Sequence, residues 1–233
     1  MNKKIFFVLI VIMLTSLACS FNINLPRVST EQETAFELNE VTPDNRESSE
    51  LEIGMGAGRL NITGGSDQWI TGEIIYNVPI WGPNITRSSY GLKITQETKK
   101  QIGIPDNNDV INDWNIILGD HPTDLEINAG AYQGNFDLTG IPLTKLRISD
   151  GASQSNIRFD ELNPVEMISF HYTSGASNIE IYGLSNANFE NLVFEGGPGS
   201  FTLDFSGDLQ RDSDVEINYG LGDMKIIIPK GIP

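Results

Sequence analysis

Cysteine occurs once in these 233 residues and histidine twice, and Lys and Arg number 15 against 31 Asp and Glu. One cysteine excludes a disulfide framework and leaves nothing for a Cys-based zinc site. His121 and His171 stand fifty residues apart, which is poor material for a soft-metal site. Nor does a Gly-x-Ser-x-Gly elbow offer a nucleophile. A formal charge of -16 argues against nucleic acid as a partner and against a domain lying flat on an anionic bilayer. Long apolar runs are missing too. The longest, Ile5 to Leu14, has ten residues, against the roughly 20 needed to span a bilayer.

What is present is a repeated phrase: apolar, any, apolar, two more residues, then glycine. It reads Leu125-x-Ile127-x-x-Gly130, Leu146-x-Ile148-x-x-Gly151, Phe170-x-Tyr172-x-x-Gly175, Leu192-x-Phe194-x-x-Gly197 and Val215-x-Ile217-x-x-Gly220, at steps of 21, 24, 22 and 23 residues. Self-similarity at that period in strand-type residues predicts a solenoid of stacked coils, each unable to bury its apolar edge alone. After each glycine a second alternating pair follows: Phe136 and Leu138, Ile157 and Phe159, Ile179 and Ile181, Leu203 and Phe205, Ile226 and Ile228. Period two sends one set of side chains inward, so Ile148, Ile157 and Phe159 should lie inside and Arg158 outside. Each coil then reads as two or three short strands stacked in parallel and joined at glycine corners, where positive φ or close backbone approach is easiest, with turns at Gly140, Gly183 and Gly207. Asn61, Asn135, Asn156 and Asn178 each precede the first apolar residue of the post-glycine strand, and predict either a stacked amide column or simply outward polar positions.

The spelling also occurs at Leu51-x-Ile53-x-x-Gly56, about seventy residues before the array. The stretch between holds all three tryptophans, Trp69, Trp81 and Trp114, and reads as β-rich. It is expected to cover the first coil, because an open sheet edge invites pairing with other chains. Pro229 should block pairing at the other end.

Residues 1–18 read as a secretion signal, with Lys3 and Lys4 before the apolar core. Ser16-Leu17-Ala18-Cys19 resembles the lipobox of bacterial lipoproteins, with Ser16 where Leu, Val or Ile is usual. Cys19 is therefore the expected lipid-attachment residue and the protein an extracytoplasmic, membrane-anchored lipoprotein. Residues 19–50 read as anchor and spacer, with an extra strand near Ala35 to Val41. Residues 51–233 read as one folded domain: 51–118 the N-terminal cap section and 119–233 the repeat array.

Chemistry is hard to place. Gly196-Gly197-Pro198-Gly199-Ser200 follows the calcium β-roll repeat until Phe201 replaces its aspartate. The nearby Asp204, Asp208, Asp212 and Asp214 are explained as well by a solvated loop. Trp69, Tyr76, Trp81 and Tyr90 could form a sugar platform, although core or cap packing accounts for them. No catalytic, cofactor or metal residue is assigned.

From about residue 50 to the end, the chain resembles the toast-rack family of bacterial lipoproteins and envelope proteins. That family is a domain of unknown function related to adhesin-like and cell-wall-active-antibiotic-response domains. The resemblance rests on Gly54-Met-Gly-Ala-Gly-Arg-Leu60, Tyr76-Asn-Val-Pro-Ile-Trp81 with Pro83, and Trp114-Asn-Ile-Ile-Leu118. It rests further on Leu125-Glu-Ile-Asn-Ala-Gly-Ala131 and Gly220-Leu-Gly-Asp-Met-Lys-Ile226 closing on Pro229. Later coils depart from the Gly-Ala-Gly triplet, reading Gly130-Ala-Tyr, Gly151-Ala-Ser and Gly175-Ala-Ser. The resemblance implies an all-β, right-handed single-stranded parallel β-solenoid and carries over no catalytic residue. The resulting expectation is a non-catalytic, lipid-anchored envelope protein, adhesin-like or a scaffold or stress sensor, using no cofactor. Its partners would be the membrane, through the anchor, and an envelope polymer or protein. The alternative is a polysaccharide-binding or polysaccharide-degrading β-helix protein.

Overall fold

A computed structural model describes residues 27–43, 47–97, 104–105 and 109–231. The N-terminal half contributes β1 (Arg27–Val28), β2 (Thr34–Glu40), β3 (Ser49–Gly64), β4 (Ile70–Tyr76), β5 (Pro83–Arg87), β6 (Gly91–Gln96), β7 (Ile104–Pro105) and β8 (Asn112–Leu118). The repeat region contributes β9 (Thr123–Asp137), β10 (Leu143–Arg158), β11 (Met167–Tyr182), β12 (Phe189–Gly196), β13 (Gly199–Asp204), β14 (Asp214–Tyr219) and β15 (Gly222–Ile227). Two short 3-10 turns complete the elements, and no α-helix occurs among the described residues, so the fold is all-β. Thirteen of the described strands form one large sheet, while β1 and β7 pair separately.

The repeated phrase is the register of that sheet. Leu51, Leu125, Leu146, Phe170, Leu192 and Val215 stand in one column, each the direct partner of the next. Ile53, Ile127, Ile148, Tyr172, Phe194 and Ile217 form the neighbouring inward column. All pairs are parallel, and the residues in the middle of the stack are fully buried. Alternation along each strand explains the pattern, since only every second side chain can point into the core. The early copy of the phrase is distant in sequence yet adjacent in space, because β3 pairs along most of its length with β9.

The glycines act differently from the expected corners. β9, β10 and β11 run through Gly130, Gly151 and Gly175 as continuous strands, and none of these glycines has positive φ. What they supply is room. A methyl group on Gly175 would lie 2.1 Å from the carbonyl oxygen of Gly151, and one on Gly130 would lie 2.3 Å from that of Gly56. The glycines are stacked against one another, and only a residue without Cβ tolerates that approach. The turns expected at Gly140, Gly183 and Gly207 are found, with φ of 67°, 73° and 110° in the left-handed region.

That glycine column also corrects one alignment. Ile157 pairs with Phe136 and with Ile181, not with Ile179. Ile179 lies two residues earlier, opposite Ser155 and Phe201. A two-residue slip of β11 would unstack its glycine, so the ladder keeps Gly175 in line and lets Ile179 fill an extra inward place. Asn178 consequently leaves the amide column that Asn61, Asn135 and Asn156 share, and Glu180 takes its position.

The two ends of the stack differ. On the β3 side, β6 and β8 each pair in parallel with one half of β3, and antiparallel β5, β4 and β2 then close the edge. Tryptophan packing fixes this cover: Trp114 is fully buried, and Trp69 Nε1 donates to Thr123 Oγ1 at 2.9 Å. β2 lies within the stretch read as spacer and matches the extra strand expected there. At the other end, β14 and β15 have partners on one side only among the described residues.

Candidate functional site: an amide-lined outer face

Beyond each glycine the outward positions of the sheet carry two polar columns. One contains Arg59, Gln133, Gln154, Asn178, Ser200 and Asp223, and the other Asn61, Asn135, Asn156, Glu180, Thr202 and Lys225. Their middle members line a shallow hollow of about 590 Å³ over β9, β10, β11 and β13. Gly134 and Ser155, small and buried between the outward residues, form its floor. Parallel pairing places equivalent side chains about 4.8 Å apart from rung to rung. Among the described residues no side chain or backbone group bonds the amides of Gln133, Asn135, Gln154 or Asn178, whereas Asn156 Nδ2 donates to Glu180 Oε2 at 3.3 Å.

Glu180 is the one carboxylate lining this hollow. It also accepts from the Tyr182 hydroxyl at 3.1 Å, and partial burial followed by that bond raises the Tyr182 phenol above its ordinary range. Next to it, Arg158 donates to Asp137 Oδ2 at 2.6 Å, and this bond holds the Asp137 carboxyl below the usual range. The face therefore offers rows of neutral donors and acceptors, interrupted within the second column by the Glu180 carboxylate. Its lining side chains are suited to hydrogen bonding, and no Ser or Thr hydroxyl of the lining is hydrogen-bonded to Glu180 among the described residues.

A second polar cluster, missed in the sequence, lies inside the stack. Asp150 Oδ2 accepts from the hydroxyls of Tyr172 at 2.8 Å, Ser153 at 2.9 Å and Tyr132 at 3.4 Å. Its Oδ1 accepts from Ser174 and, at 3.3 Å, from Ser177. Ser155 donates to the Tyr132 oxygen at 3.2 Å. Burial pushes both phenols well above their ordinary range, so they stay protonated and donate. With its tyrosines closed off from solvent, the cluster fastens three consecutive strands rather than meeting a substrate. A signal did exist: Tyr132, Ser153 and Ser177 are the residues that depart from the second glycine of the family triplet, and they align as one column.

The other candidates separate in space. Cys19 lies outside the described residues. His121 Nε2 and Ser49 Oγ are 3.0 Å apart but both buried, and the ring packs edge-on to Trp69. Burial lowers the His121 pKa, and no carboxylate bonds its other nitrogen. His171 sits outward near Arg147 and Glu195. Phe201, at the missing calcium position, is buried in the core. Among the described residues no three His, Cys, Asp or Glu side chains come together to hold a metal ion. Trp69 belongs to the core and Tyr76 packs against it, so neither serves an exposed sugar platform. No helix among the described residues is long and apolar enough to cross a membrane.

Comparison with known proteins agrees with this architecture. The family model for the N-terminal domain of toast_rack, DUF2154, matches residues 27–168 and 161–227. A candidate cell adhesion protein from Clostridium sporogenes has a similar structure, with TM-score 0.63 and 20% identity over 84% of this chain and 99% of that one. A candidate adhesin from Bacteroides fragilis aligns at TM-score 0.36 and 11% identity, covering 86% of this chain and 100% of its own. A candidate lipid-binding protein from Parabacteroides distasonis gives TM-score 0.28 and 10% identity over 87% and 100% of the two chains. No curated protein matches the chain. With its matched segments running through both the cover and the repeat rungs, the chain belongs to the toast-rack family.

Proposed function

We propose that this is a non-catalytic, lipid-anchored cell-envelope protein with an adhesin-like role, built as a right-handed single-stranded β-solenoid of 21–24-residue coils. The observation that carries the reading is the outer face just described: rows of unoccupied neutral amides around a hollow with a single carboxylate. Such a surface suits contact with a hydroxyl- and amide-rich envelope polymer, one hydrogen bond at a time. Right-handed winding follows from the strong preference of parallel crossover connections. The candidate cell adhesion protein of similar fold supports the adhesin-like assignment.

A degradative role would call for a second carboxylate across a groove, as in glycoside hydrolysis. The two readings part on a glycan array combined with a turnover screen on cell-wall polymers. Saturable binding without turnover is expected, weakened about three- to tenfold by Gln154→Ala through the loss of roughly one hydrogen bond. Saturable turnover that disappears in Glu180→Gln would overturn the non-catalytic reading.

Anchoring is tested separately. Cys19→Ala is expected to release the protein from membranes without unfolding it, because the acyl anchor supplies the attachment and the cysteine lies outside the repeat. Retention of the variant in the membrane fraction after a high-salt wash would place the anchor elsewhere.

A further inference from the structure

We propose that the C-terminal rung is an interface: two copies of this chain join end to end through antiparallel pairing of β15 with β15, about a two-fold axis at Met224. The starting observation is an asymmetry in how the stack is finished. Antiparallel strands cover the β3 end, whereas β14 and β15 present a free edge among the described residues. The large apolar residues of this last rung are exposed, including Val215, Tyr219, Leu221, Ile226 and Ile228. Several border an apolar hollow of about 400 Å³ that opens at this end. A free edge beside exposed apolar surface is a pairing site unless something covers it.

Three features of β15 favour a second copy as the cover. The first is hydrogen-bond direction. Gly199 N donates to Leu221 O and Phe205 N donates to Ile227 O, both at 2.9 Å. Residues 221, 223, 225 and 227 therefore face β13, and the N–H and C=O groups of 222, 224 and 226 point to the free edge, where Pro229, two residues past β15, leaves them in place and does not block pairing. An antiparallel two-fold at Met224 sets Met224 opposite itself as a doubly hydrogen-bonded pair, with Gly222 and Ile226 forming the next such pairs.

The second feature is charge. That register brings Asp223 opposite Lys225 of the other copy, twice by symmetry, on the outward face. Any register displaced by one residue loses this match. The third is shape: Ile226, aligned with inward Leu203, would lie over Gly222, which has no side chain to obstruct it. Met224 and Ile226 of both copies would then continue the apolar interior across the junction.

The acidic character of the chain opposes association, and Asp212, Asp214 and Glu216 lie on the same rung. Moderate salt should therefore strengthen the dimer by screening this repulsion.

The test is sedimentation velocity on the full chain in detergent micelles, with charge-reversed variants. The wild type is expected to dimerise. Asp223→Lys and Lys225→Asp should each weaken the dimer about tenfold or more, since each sets like charges opposite one another at two symmetric positions. Combining both reversals should restore it. A wild type that remains monomeric at high micromolar concentration, including one whose apolar end merely binds detergent, would overturn the proposal. So would a dimer indifferent to the single reversals, or one that the double variant fails to recover.

Discussion

Phe159→Ala is expected to destabilise the protein by about 3–5 kcal/mol, the usual cost of removing a fully buried ring and leaving a cavity. Phe159 is 1% exposed and meets Phe170 edge-to-face, with ring centroids 6.2 Å apart. It sits immediately after β10, in the middle of the stack, where rungs on both sides hold the hole open and little collapse can follow. Such a loss is a large share of a typical stability of about 5–15 kcal/mol. The neighbouring Arg158→Ala supplies the control. Arg158 points outward and pairs with Asp137 across the rung, and an exposed ion pair contributes little net stability. Urea melts should therefore show a much lower midpoint for Phe159→Ala and a near-normal one for Arg158→Ala. Equal shifts would mean that the strand faces the other way.

The core was legible in the sequence because strand alternation is a local rule that repeats. Leu146 and Ile148, then Ile157 and Phe159, carry it in two alternating inward pairs, and related pairs recur on the next rung. What the spelling could not decide was the reach of each strand. A glycine that turns a chain and a glycine that lets two backbones touch look identical, so the stacked Gly151 and Gly175 read as corners. The slip at Ile179 has a related cause: two apolar residues after a glycine suggest a pair, but the position of Gly175 against its neighbours sets the register. The Trp-rich section was legible as a β-rich cover over the first coil, but the antiparallel course of β4 and β2 was not, because they owe it to partners far away in sequence.

The outer face was half legible. Polar residues at outward positions were visible as Asn61, Asn135 and Asn156, yet the second column through Gln133, Gln154 and Asn178 needed the register to appear. Nor does a sequence show concavity, which here depends on small Gly134 and Ser155 beneath the amides. Asp150 was invisible for a different reason. A lone acid at a strand position normally points to solvent, and only the hydroxyls of adjacent rungs draw this one into the stack.

Those hydroxyls lead to the second large effect. Asp150→Ala should cost about 3 kcal/mol, because it deprives several buried donors of one shared acceptor and each unsatisfied group carries a penalty of roughly 1–3 kcal/mol. Tyr172 and Ser174 are the most exposed to this loss, being buried themselves and bonded to opposite oxygens of the carboxylate. Asp150→Asn should be intermediate, since the amide keeps the shape but presents N–H groups to hydroxyls that need an acceptor. Tyr172→Phe removes a single donor and should cost about 1 kcal/mol. Combined with Asp150→Ala it should add almost nothing, because the bond is already gone, giving a coupling on the order of 1 kcal/mol in the double-mutant cycle. Strictly additive losses in chemical denaturation would show that Asp150 and Tyr172 do not act together. The three strands would then be held by their backbone ladders and apolar columns alone.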